Sequence, residues 1–275
     1  MDNRPIGIFD SGLGGLTGLF AVHALLPNEN IVYFGDTGRI PYGEKTRSQL
    51  RDMAIQNLEF VSSFGVKAIL AACGTISANA ADLLEAWPIP CFGVLDSSAD
   101  WLSRLPGGGP IAIAATEAAV RSGAYQTALQ RACPGRRVFA VPCPSFVPLI
   151  ESGHRDLSDP LIREAVRCSL APVREAGAEA LLLGCTHYGI ISPAISDYLG
   201  SGIRLVSAAE CGAAAVCAFL MKSGCTGHGH GTIICHTSGD VGQFSDMAAR
   251  LFGPLPPDFR VEAAPLLPIP CSGQS

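Results

Sequence analysis

The sequence is poor in charge. Asp, Glu, Lys and Arg make up 16% of its 275 residues, well under the usual quarter or so. Beside 48% hydrophobic residues, this excludes a disordered chain, which combines low hydrophobicity with high charge. Basic residues are in deficit too, 19 against 24 acidic, for a formal net charge of −5. No Lys/Arg cluster compensates, so the electrostatic footprint of a nucleic-acid binder is missing. Long apolar runs are also absent. The nearest, Ala213 to Met221, falls short of the ~18 residues that a membrane-spanning helix needs. The N-terminus has no basic stretch followed by an apolar core, so no secretory signal is expected. Aromatic residues are only 7%; Ala, Gly and Leu dominate, which suits tight packing of helices on sheets.

Cysteine, by contrast, is abundant. There are eleven, an odd number without regular spacing and hence a poor disulfide framework. Reduced thiols in a cytoplasm are the expectation, most of them acting as small buried hydrophobes.

Length alone suggests one or two domains at about 150 residues each. Short apolar runs predict strands at Ile6–Phe9, Ile31–Gly35, Ala68–Ala72, Pro90–Val94, Ile111–Ala115, Val138–Val141, Ala180–Leu183, Arg204–Val206 and Thr232–His236. Helical spacing lies between most of them, at Leu16–Leu26, Ser48–Phe64, Arg121–Arg131, Asp159–Ala176 and Ala208–Met221. Uniformly apolar strands alternating with helices indicate an α/β fold with mainly parallel sheets. The stretch Pro106-Gly107-Gly108-Gly109-Pro110 suits a break between two smaller sheets. A weak duplication supports two halves: Ala68–Thr75 is a strand ending in Cys-x-Thr, and Ala180–His187 one ending in Cys-Thr-His. Each places a thiol just past the carboxyl end of a buried strand, the edge at which open α/β sheets bind ligands.

A thiol there, beside a helix N-terminus, can have its pKa lowered by the helix dipole. Cys73 and Cys185 both fit, with a buried core cysteine as the bland alternative for each. His187 can serve Cys185 as a base or hold a substrate carboxylate; Glu151, after an apolar run, can pair with a histidine. Asp10-Ser11 followed by Gly12-Leu13-Gly14-Gly15 is a strand-to-helix turn whose N–H groups can hold an anion. It is not G-x-G-x-x-G and has no P-loop lysine, so a small carboxylate suits it better than a dinucleotide. The Cys225, His228, His230, Cys235 and His236 tract matches no zinc spacing, and no metal is expected.

The segments Ile6–Leu16, Tyr33–Lys45, Arg121–Tyr125, Cys143–Gly153 and Leu183–Tyr188 resemble, in the right order, the signature segments of glutamate racemases. These belong to the cofactor-independent aspartate/glutamate racemase superfamily. The resemblance runs from residue 5 to about 210 and more faintly to the end. It implies two pseudo-symmetric α/β domains facing across a central cleft. Residues 1–97 with 208–275 would form one and 98–207 the other, the tail running as an extended strand or loop over the first. It implies an isomerase that interconverts L- and D-glutamate by two-cysteine proton transfer, supplying D-glutamate for peptidoglycan. Cys73 and Cys185 would be the pair, Asp10 assisting the first, and His187 with Glu151 behind it assisting the second. Ser11, Pro41, Tyr42, Gly43, Gly74, Thr75, Thr116 and Thr186 would line the substrate, together with Asp10, Cys185 and His187. No cofactor is implied; the expected partners are a small-molecule substrate and a second copy of the chain, with no nucleic acid and no membrane.

Two positions depart from the family pattern. Gly74 replaces the Asn of Cys-Asn-Thr, and Ala119 replaces the second Thr of Thr-x-x-Thr. Each removes a family substrate contact, and a lost hydrogen bond to a charged group costs about 1.5–3 kcal/mol. The alternatives are therefore a relative acting on another amino acid, with Gly74 enlarging the pocket, or a weak carboxylate-binding protein.

Overall fold

A computed structural model describes residues 2–228, 231–266 and 268. The nine expected strands are all present: β1 (Ile6–Asp10), β2 (Ile31–Gly35), β3 (Ala68–Ala71), β4 (Cys91–Gly93), β5 (Ile111–Ala115), β6 (Val138–Pro142), β7 (Ala180–Leu183), β8 (Arg204–Ser207) and β9 (Ile233–Thr237). A tenth, β10 (Phe259–Ala263), forms within the proline-bearing tail and pairs with β9. Every pairing is parallel, as expected of strands buried on both faces.

The strands form two sheets, ordered β10-β9-β2-β1-β3-β4 and β6-β5-β7-β8. The second sheet repeats the inner order of the first, with β5 in the place of β1 and β7 in that of β3. The weak sequence duplication around Cys73 and Cys185 is thus a structural repeat. In both sheets the chain moves to opposite sides after the first strand of the repeat. That reversal opens a crevice at the carboxyl ends of β1/β3 and of β5/β7. The glycine-proline stretch at 106–110 lies between α5 (Val94–Ser103) and β5, where the chain leaves the first sheet. It returns through α11 (Ala208–Ser223) to β9.

Local chemistry sets the helix limits. The helix α2 (Arg47–Ser62) starts at a capping box in which Thr46 and Gln49 each satisfy the other's backbone N–H. The helix expected at Arg121–Arg131 is instead two, Glu117–Ser122 (α6) and Ala124–Ala132 (α7). They break at Gly123, which takes a left-handed φ of 67°. Among the described residues no helix is long and apolar enough to cross a membrane.

One core cluster runs through both sheets, including Ile6, Ile8 and Leu70 from the first and Ile113 and Leu182 from the second. Two charged groups are buried beside it. Lys67 Nζ lies 2.6 Å from Glu29 Oε2 and donates to the Asp2 and Cys225 carbonyls; Gly227 N–H donates to Glu29 Oε1. The pair is thus fully hydrogen-bonded, which is the condition for a buried ion pair to be tolerated.

Candidate active site

All thirteen residues singled out from the sequence line one cleft between the carboxyl ends of the two sheets. Its free volume is about 110 Å³. At about 10–15 Å³ per water-sized group, that suits a ligand of roughly ten non-hydrogen atoms. The first sheet contributes Asp10 and Ser11 after β1, Pro41 to Gly43 after β2, and Cys73 to Thr75 after β3. The second contributes Thr116 after β5, Glu151 from α8 (Phe146–Glu151), and Cys185 to His187 after β7. The strand repeat therefore sets Ser11 against Thr116 and Cys73 against Cys185 as equivalent positions.

Cys185 Sγ lies 3.7 Å from His187 Nδ1, and His187 Nε2 lies 3.0 Å from Glu151 Oε1. Burial opposes charge on His187, but its hydrogen bonds to Cys185 and Glu151 outweigh burial and hold its pKa well above the usual histidine value. The imidazole can thus carry a proton at neutral pH and exchange it with Cys185.

Cys73 behaves differently from the sequence expectation. Burial, and next the negative charge of Asp10, push its thiol well up; the Ile76 N–H and the Ser11 hydroxyl pull only weakly the other way. The six-residue helix it precedes (α3, Gly74–Asn79) does not overcome desolvation. Cys185 precedes a 3₁₀ turn, Thr186–Gly189, and no α-helix. A third thiol, Cys143, lines the cleft after β6 and is pushed up to about 12 by burial.

Asp10 is fully buried. Its Oδ2 accepts the Gly15 N–H at 2.5 Å and the Thr186 hydroxyl at 3.3 Å, while Oδ1 has no hydrogen-bond partner among the described residues. The glycine turn therefore gives its Gly15 N–H to the protein's own carboxylate instead of a ligand. Gly14 serves packing: a Cβ there would lie 2.3 Å from His187 Nδ1. Tyr42 lines the cleft too, with its hydroxyl turned to a neighbouring carboxylate. Its hydroxyl donates to Asp36, which Arg39 pairs at 2.5 Å and Ser238 caps at 2.7 Å. The Tyr42 side chain thus braces the loop that carries Pro41 and Gly43. Across the cleft Thr75 and Thr116 hydroxyls meet at 3.0 Å, and the Thr116 hydroxyl also accepts the Ala119 N–H.

The two departures look different in three dimensions. Ala119 is fully buried and lies off the cleft lining. Gly74 does not enlarge the pocket, because the Gly184 carbonyl oxygen fills the space, 1.9 Å from where a Cβ would stand. The lining also includes Ile40, Glu44, Glu117, Cys143, Pro144, Val147 and Pro148, which the sequence reading did not assign as site residues. For Cys143 and Pro144 the strand repeat was the available signal, since they follow β6, the counterpart of β2, whose own following loop carries Pro41 to Gly43. The Cys225/His236 tract makes no metal cluster among the described residues. His236 packs on Phe60 and Phe64, and His230 lies outside the described residues.

A family model described as Asp/Glu/Hydantoin racemase matches residues 20–216. Fold and match together define an α/β racemase built on two parallel sheets. A glutamate racemase from Picosynechococcus is 41% identical over 208 residues, 75% of this chain and 73% of its own. Another, from Bacillus cereus, is 33% identical over 254 residues, 91% of this chain and 94% of its own. The solved glutamate racemase of Francisella tularensis, in complex with D-glutamate, has a TM-score of 0.87 at 31% identity. That superposition covers 97% of this chain and 99% of the other. The chain belongs to the glutamate racemase family of isomerases.

Proposed function

We propose that this chain interconverts L- and D-glutamate without a cofactor, with Cys73 and Cys185 as the two proton-transfer groups. The observation that carries the reading is their placement. Two thiols, one from each sheet, share one cleft, and each has an acid–base partner: Asp10 for Cys73, His187 for Cys185. In one direction the thiolate of one cysteine takes the α-proton, forming its S–H bond as the Cα–H bond breaks. The electron pair spreads into the carboxylate. The opposing thiol then gives its proton to the other face of Cα and is left as the thiolate, ready for the reverse reaction. A single base would tend to return the proton to the same face, so inversion calls for two.

The transient intermediate carries two negative charges beside the substrate's ammonium, which places two demands on the site. Water must be kept out, so that fixed dipoles act in a low dielectric, and the small volume of the cleft, which a ligand of about ten non-hydrogen atoms fills, supports that. The ammonium needs an acceptor, and Asp10 Oδ1 has its acceptor capacity open. The Ser11 hydroxyl and the free proton of the Thr75–Thr116 pair would donate to the carboxylates, together with the backbone N–H groups of Tyr42 and Gly43, while Thr186 lines the site and holds Asp10.

Proton NMR in D₂O with each glutamate enantiomer tests the reading. The α-proton signal should disappear from both without added cofactor. Cys73→Ser and Cys185→Ser should each abolish inversion; full activity in either variant sinks the two-thiol mechanism. Exchange with a different amino acid and none with glutamate would assign the chain to another substrate. The reading extends, on resemblance, to a cytoplasmic homodimer that supplies D-glutamate for peptidoglycan. It also extends to two structural units, 1–97 with 208–275 and 98–207. Sedimentation and the D-glutamate requirement of a deletion strain test the first two points.

A further inference from the structure

Gly74 follows Cys73, and Gly184 precedes Cys185, so any contact between these glycines bears on both thiols. The contact is unusually close. An ideal Cβ on Gly74 would lie 1.9 Å from the Gly184 carbonyl oxygen and 3.1 Å from the Tyr125 hydroxyl. Ordinary contact begins near 3.4 Å, so a methyl group there lacks about 1.5 Å of room. Neither backbone can yield cheaply. Gly184 N–H donates to the Ala114 carbonyl at 2.8 Å at the end of β7, and its own carbonyl accepts the Tyr125 hydroxyl at 3.2 Å. On the other side, the Cys73 carbonyl accepts the Ser77 N–H at 2.9 Å in the first turn of α3. Tyr125 is itself fully buried on α7 of the second sheet.

We propose that Gly74 is a positioning residue: by having no side chain it lets the Gly184 carbonyl, pinned by Tyr125, come up against the start of α3 and set the spacing of the Cys73 and Cys185 thiols. This rests on the two-thiol reading above. The departure from the family's Asn is then a change of geometry, not a vacancy: the two strand ends approach where a side chain would hold them apart. A side chain restored at 74 would drive the two thiols apart by up to the missing distance. A shift of about 1 Å in a reacting group can cost about a hundredfold in rate.

The spacing affects inversion more than exchange. If the thiol that removes the α-proton stays in place while the other recedes, the proton is more often replaced on its original face. While the intermediate waits for the receded thiol, the first thiol can trade the proton it has just taken for deuterium from solvent and return that deuterium to the original face. Exchange with retention therefore rises relative to inversion. A merely destabilised enzyme would lose both in equal measure, because it only lowers the amount of folded protein.

The experiment follows deuterium incorporation and optical inversion of L-glutamate together in D₂O, for the full chain and for Gly74→Ala and Gly74→Asn. Inversion is expected to fall about a hundredfold, with the exchange-to-inversion ratio rising severalfold and KM changing less than kcat. Tyr125→Phe, which removes only the pin on the Gly184 carbonyl, should raise the same ratio by a smaller factor and serves if the Gly74 variants do not fold. A wild-type ratio in these variants overturns the proposal while leaving the two-thiol reading standing. Inversion surviving in Cys73→Ser or Cys185→Ser brings down that reading and this inference with it.

Discussion

Glu151→Gln is the sharpest test of the Cys185 side of the cleft. It keeps the size and one hydrogen-bonding oxygen of the side chain and removes the charge 3.0 Å from His187 Nε2. A hydrogen bond to a charged group contributes about 1.5–3 kcal/mol, equivalent to roughly ten- to 150-fold in rate. The Glu151 side chain is 22% exposed, so solvent screening places the loss in the lower part of that range, about ten- to thirtyfold. The pH dependence is more telling than the size. His187 is held protonated above its ordinary range by its hydrogen bonds to Cys185 and Glu151, against the cost of burial. Activity that needs the imidazolium persists up to that raised value and fades as pH rises through it. Without the Glu151 charge the alkaline limb should move to lower pH. Stability follows the same sign. The raised pKa contributes stability that is fully present below about 6.5 and lost as pH rises through the folded-state value; in the variant the contribution is smaller and its loss is complete at lower pH. The assay is the pH–kcat profile in both directions, beside thermal melts across the same range. An alkaline limb and a rate identical to those of the unsubstituted enzyme would refute the argument that Glu151 governs the proton on His187.

Two further outcomes are expected. Cys73 should react slowly with iodoacetamide at neutral pH, because burial and the Asp10 charge keep it a thiol. Its alkylation should accelerate only in alkali, and Asp10→Asn should shift that rise to lower pH, read by mass spectrometry of the Cys73 peptide. Lys67→Met should destabilise the fold by about 3–5 kcal/mol, since it leaves Glu29 charged and buried without its partner. Urea denaturation checks this, and Lys67→Met combined with Glu29→Gln should recover part of the loss.

Much of the architecture was legible locally. Apolar runs of four or five residues between helical segments are enough to specify parallel strands, because burial on both faces removes the polar alternation of half-exposed ones. The helix break at Gly123 escaped a periodicity argument, since the apolar spacing continues across it while the backbone does not. The site was legible to the extent that its residues sit immediately after strands, where parallel sheets collect ligands. Its electrostatics were not. A thiol before a helix suggests a lowered pKa, but around Cys73 desolvation dominates, and desolvation depends on neighbours from distant segments.

By itself, then, the order of residues determined which strands form and that each half ends a central strand in a thiol. It also set the low share of charged residues and the slightly acidic balance. Tertiary structure alone decided the pairings that cross between the sheets. Thr186 donates to Asp10, the Thr75 and Thr116 hydroxyls meet, and the Gly184 carbonyl occupies the space beside Gly74. A missing side chain reads as room in a sequence, whereas in a close-packed interior whatever backbone lies nearest moves into that room.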